Sequence, residues 1–183
     1  MASWWFAGVV GFEAMLSGGH PNSLGRTEEV VELVFADRSR LDELFECYSG
    51  DDEVVRLRVS SALKRVTIAR PDWTMGYVDR LQTEVAAIEQ ASTQWTLALL
   101  FGLLVDHLSP EQNRRAIEIM QRNLAHHDDW IVMNNTVKVL GSWSENDPGL
   151  RRWLRPHAER LAADPRKSVA SNARRLLDRI ADG

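Results

Sequence analysis

Gln94-Trp95-Thr96-Leu97-Ala98-Leu99-Leu100-Phe101-Gly102-Leu103-Leu104-Val105 winds into a helix that is apolar on nearly every side, and so has no natural solvent face. It is shorter than the ~20 apolar residues needed to cross a bilayer. The stretch therefore predicts a buried middle helix with other helices layered on either side of it. The chain is long enough for this, since a domain of its size hides roughly 70% of the surface its unfolded form exposes. No convincing run of period-two alternation occurs, so the sequence predicts an all-α protein.

Outward from that helix, three prolines mark where others begin. Arg70-Pro71-Asp72, Ser109-Pro110-Glu111 and Asp147-Pro148-Gly149 each place proline in a first helical turn, where its missing N–H costs nothing. The prolines are 39 and 38 residues apart, a period expected of helical-pair repeats. A second signal has the same period. Val55-x3-Val59-x2-Ala62-Leu63-x2-Val66 is matched by Val132-x3-Thr136-x2-Val139-Leu140-x2-Trp143 and by Val169-x3-Ala173-x2-Leu176-Leu177-x2-Ile180. The apolar stretch supplies the copy between them as Trp95-x3-Leu99-x2-Gly102-Leu103, giving anchor spacings of 40, 37 and 37 and placing Leu99 in the core. Earlier in the chain, Ser23–Ala36 and Arg38–Tyr48 have helical spacing, and Ser49–Asp52 forms a turn and cap for a helix over Glu53–Ile68.

These residues resemble HEAT repeats, in which an outer helix pairs with an inner one that often opens with Asp and then Val-Arg or Val-Lys three residues on. Asp52-x-x-Val55-Arg56 fits well, Asp129-x-x-Val132-Met133 fits in part, Asp164 precedes Val169 by a longer step, and the middle copy lacks the Asp. More narrowly the chain resembles bacterial single-domain HEAT-repeat proteins. The resemblance implies a right-handed α-α superhelix, a HEAT-like or ARM-like solenoid, of about four helix pairs. Within a single domain over 1–183, the repeats would span 24–181 and residues 1–23 would supply a capping helix and loop. It also implies a binding module or scaffold that holds another macromolecule, a protein first, along its concave face.

On that reading the inner helices stack residues into rows. Arg58, Ala98, Asn135 and Asn172 form one; Ser61, Phe101, Lys138 and Arg175 the next; Arg65, Val105, Ser142 and Arg179 the third. The candidate binding residues are Arg58, Ser61, Arg65, Asn135, Lys138, Asn172, Arg175 and Arg179. The competing reading is that they are the solvated side of amphipathic helices. Charge favours an acidic partner at the far end: residues 1–55 carry three Lys/Arg and eleven Asp/Glu, net −8, whereas residues 148–183 carry nine and four, net +5. The overall charge of −4 argues against duplex nucleic acid, whose binding is driven by phosphate neutralisation.

No glycine-rich phosphate loop and no Gly-x-Ser-x-Gly elbow occur, so no catalytic residue, cofactor or metal is expected. Asp106-His107 and His126-His127-Asp128-Asp129 have metal-like composition, but the helix between them, at ~1.5 Å per residue, holds them about 24 Å apart. The second cluster reads as a solvated turn with Asp129 as a cap. A HEAT-fold glycosylase for alkylated bases is the alternative that seven tryptophans suggest. Against it, the interiors of the inner helices lack a central carboxylate, and Trp95, Trp130 and Trp143 fall at or near core positions. Cys47 has no disulfide partner, which fits a cytoplasmic protein and a core role. At the N-terminus, Trp5, Val9, Phe12 and Leu16 share one helical face, with no Lys or Arg before Arg26 and Glu13 in the run. That predicts a capping helix rather than a signal or a membrane surface anchor.

Overall fold

A computed structural model describes residues 10–20 and 23–181. Every regular element among them is helical, and none of these helices is long and apolar enough to cross a membrane. They form two compact units, divided between Val66 and Thr67. Trp5 and Val9 of the expected capping helix lie outside the described residues.

In the N-terminal unit, α1 (Phe12–Leu16) packs on α2 (Thr27–Ala36) and α3 (Leu41–Glu46), and the first turns of α4 (Glu53–Ala69) add Val59 and Leu63 to the buried residues. Phe12, Leu16, Val30, Val34, Leu44, Val59 and Leu63 are all fully buried. Asp52 caps α4 as its spacing foretells, accepting from the backbone N–H of Val54 and Val55 at 2.8 and 3.2 Å. Tyr48 closes the core with a buried hydrogen bond between its hydroxyl and Ser60 Oγ at 2.9 Å. Cys47 is core: burial and the nearby Glu13 and Glu43 carboxylates push its thiol up to about 11, which removes the thiolate a nucleophile would need.

In the C-terminal unit, α5 (Pro71–Thr74) and α6 (Val78–Thr83) are short, and α7 (Ala91–Leu104), α8 (Pro110–His126), α9 (Trp130–Trp143), α10 (Pro148–Ala162) and α11 (Lys167–Ala181) are full helices. The prolines act as the sequence requires. Pro110 follows a Ser109–Gln112 capping box, and Pro148 follows Asp147, whose carboxylate accepts from Gly149 and Leu150 N–H. Asp129 caps α9 in the same way. Helix α9 lies beside α7 on one side and α11 on the other, α8 packs on α7 and α9, and α10 packs on α9 and α11.

The repeat register of α7 differs from the one its sequence suggests. Thr93, Leu97, Leu100, Phe101 and Leu104 are at most 1% exposed, whereas Trp95 and Leu99 are half-buried and Leu103 is 40% exposed. The motif therefore runs Thr93-x3-Leu97-x2-Leu100-Phe101-x2-Leu104, which shifts the anchor by two residues and makes the spacings 38, 39 and 37. Contacts at equivalent positions agree with it. Ideal Cβ atoms on Gly102 and Gly141, each nine residues past its anchor, would meet Val139 at 3.1 Å and Leu176 at 2.9 Å, each seven past the next. A side chain at either glycine would have to push these neighbours aside. Likewise Asn135 donates to the Trp95 carbonyl (3.3 Å) and Asn172 to Asn134 Oδ1 (2.9 Å), each from the third position onto the second position of the preceding inner helix.

Some core polar groups are unmatched among the described residues, the hydroxyls of Thr93 and Thr136 among them. The Thr136 hydroxyl is fully buried and has no hydrogen-bond partner among the described residues. Such an orphan costs about 1–3 kcal/mol, and valine has the same branched shape. Thr136→Val is therefore expected to stabilise the protein by about 1 kcal/mol, seen as a higher urea midpoint with an unchanged slope.

Candidate functional site

The corrected register decides which residues α7 contributes to the face it shares with α9 and α11. Positions six and ten past each anchor are Leu99 and Leu103 on α7, Lys138 and Ser142 on α9, and Arg175 and Arg179 on α11. Leu103, Lys138, Ser142, Arg175 and Arg179 are exposed and Leu99 is half-buried. Lys138 and Arg175 form no ion pair or hydrogen bond among the described residues; Arg179 lies 3.6 Å from Glu145, an exposed pair worth little in water. Two leucines thus stand on the same face as two uncompensated cations.

The α9 and α11 starts are tied together by Arg166, whose guanidinium pairs with Asp164 and donates to the Asp128 carbonyl at 2.7 Å. Hydrogen bonding from Arg166 holds the Asp164 carboxyl at about 2. The Asp that the repeat resemblance singled out therefore organises the turn before α11.

The other candidate residues take different roles. Arg58 is 1% exposed and so belongs to no binding surface: its guanidinium donates to the carbonyls of Ser23 (3.0 Å), Leu16 (2.5 Å), Gly18 (2.7 Å) and His20 (3.1 Å). Asn135 and Asn172 are half-buried and bond neighbouring helices through the amides described above. Ser61, half-buried, and Arg65, paired with Glu28 at 3.1 Å, belong to the N-terminal unit. Ala98 and Phe101, expected in the rows, are buried at 1% and 0%, and Trp130, expected near the core, is 47% exposed. Leu99 and Leu103 were missed as face residues because every face of α7 reads as apolar. The glycines of α7 and α9 carry the signal that finds them.

Together the fold and this face define an all-helical protein that presents a mixed apolar and cationic surface on three adjacent helices. Compared with known protein families, curated proteins and solved structures, the chain matches none of them.

Proposed function

We propose that the chain is a HEAT-like solenoid binding module whose α7–α9–α11 face holds an acidic amphipathic helix of a partner protein. The observation that carries this reading is the placement of Leu99 and Leu103 on the same face as Lys138 and Arg175, cations that no described carboxylate neutralises. Leucines accept the apolar stripe of a docking helix, and arginine holds carboxylates bidentately. The nearly equal repeat spacings and the glycine contacts support the solenoid, and the exposed polar residues at the chain's basic end support the acidic partner. The protein is read as cytoplasmic, in line with its lone buried thiol.

The test uses a fluorescent helical peptide with leucines at i, i+4 and glutamates flanking them, alongside the same peptide with glutamine for glutamate. Anisotropy is expected to show saturable binding of the acidic peptide that weakens about tenfold or more as salt shortens the Debye length from ~30 Å to ~8 Å. Lys138→Glu with Arg175→Glu is expected to abolish binding without lowering the melting temperature. Equal binding of the two peptides contradicts the reading. Release of methylated bases from alkylated DNA, lost on changing Trp95 or Trp143, replaces it with the glycosylase alternative.

A further inference from the structure

We propose that a second site, the cleft at the C-terminal end of α8, holds the phosphoryl group of a small phosphorylated molecule through Arg122, His126 and His127. The cleft lies within the C-terminal unit, between the Ala86–Glu89 turn and the last turn of α8. It encloses about 510 Å³, inside the ~300–1,000 Å³ typical of small-molecule sites.

One wall of the cleft is a chain of buried amides. Gln94, 3% exposed, donates from Nε2 to the carbonyls of Ile88 (2.7 Å) and Ala86 (3.3 Å), and Asn123, 5% exposed, donates to Gln94 Oε1 at 2.8 Å. Asn123 Oδ1 in turn accepts from Arg122 Nε and Nη2 at 3.4 and 3.3 Å, and Nη2 also donates to the Ala86 carbonyl at 2.9 Å. The guanidinium of this exposed side chain is thereby oriented, chiefly by the Ala86 carbonyl, with no carboxylate partner among the described residues. Such pre-ordering removes much of the entropy cost of binding.

The donors left over point to phosphoryl rather than carboxylate. The Nε/Nη2 edge that usually grips a carboxylate with two parallel bonds is already occupied, which leaves Nη1, with its two N–H groups, as the free donor nitrogen. His127 Nδ1 accepts from the Asp129 N–H at 3.0 Å, so its proton sits on Nε2. His126 follows Arg122 by four residues, on the same face of α8. Three separate donors suit the three terminal oxygens of a phosphoryl group. The helix end opposes an anion only weakly, because the Asn123 carbonyl is bonded by His127 N–H and the Leu124 carbonyl by Arg160. Glu89 also lines the cleft, which favours a single phosphoryl on a neutral or cationic body over a polyanion.

The test is a ¹H–¹⁵N NMR titration of the full chain with sodium phosphate, then O-phosphoethanolamine, then sodium acetate, at fixed ionic strength. Saturable shifts are expected at Arg122 Nε and at the two imidazoles, with millimolar midpoints for the phosphoryl compounds about tenfold tighter than acetate. His126→Ala removes an exposed side chain that has no hydrogen bond among the described residues, and is expected to weaken phosphate about threefold or more, with melting unchanged. Arg122→Met is expected to abolish saturation, and Lys138→Glu with Arg175→Glu to leave the titration intact, which separates this site from the α7–α9–α11 face. A linear response, acetate as tight as phosphate, or phosphate affinity unchanged in His126→Ala overturns the proposal.

Discussion

Arg58→Met is expected to destabilise the N-terminal unit by several kcal/mol, about 1–3 for each buried carbonyl it leaves without a donor. Arg58 is the only donor described for the carbonyls of Leu16 and Gly18, and it also bonds those of His20 and Ser23. Methionine fills similar space but donates nothing, so carbonyls held near a desolvated guanidinium are orphaned together, each at about 1–3 kcal/mol before relaxation into water. Lysine does not repair the loss, because a compact ammonium with three donors cannot span the planar fork's reach. Gly25 shows how closely the loop wraps: at φ 52° it adopts a left-handed conformation, and a Cβ there would lie 3.0 Å from the guanidinium carbon. Urea unfolding gives the magnitude, and hydrogen exchange at residues 16–27 gives the location. Near-wild-type protection there contradicts the assignment.

The second large effect lies in α7. Leu97 is 1% exposed in the core of the C-terminal unit, where a carboxylate would lose its hydration. Leu97→Asp is therefore expected to cost more than about 4 kcal/mol, a large part of the ~5–15 kcal/mol that holds a whole domain together. The C-terminal unit is expected to lose its cooperative transition.

How legible these features were in the sequence follows from what each residue could signal alone. Helix starts at Asp52, Pro110, Asp129 and Pro148 were readable because caps and first-turn prolines act through their own backbone. The faces of α3, α9 and α11 were readable because polar residues mark their solvent sides. Helix α7 has no such mark. Choosing Trp95 rather than Thr93 as its anchor turns the helix by about 200°, which exchanges its buried and exposed sides. Two signals pointed to the right register: Pro71, Pro110 and Pro148 precede the next inner-helix anchor by 22, 22 and 21 residues when α7 is anchored at Thr93 but by 24, 22 and 21 when it is anchored at Trp95, and Gly102 aligns with Gly141 only from Thr93. Arg58 was illegible for a different reason. An arginine in an inner-helix row reads as solvated, and its partners are carbonyls of a glycine-containing loop some 35 to 42 residues earlier, which no local pattern announces. The cleft was hidden likewise, since Gln94 and Asn123 meet only after α7 and α8 pack.

The proposed binding face exists only if α7 sits in the register anchored at Thr93. Guanidinium unfolding of Leu97→Asp and Leu103→Asp, side by side with wild type, tests this most directly. The account predicts that Leu97→Asp loses more than about 4 kcal/mol, whereas Leu103→Asp loses about 1 kcal/mol or less, a small cost due mainly to an acid near the negative end of the helix. A Leu103→Asp protein that unfolds while Leu97→Asp remains stable would contradict it, since Leu103 would then be core and the leucine-and-cation face would not exist.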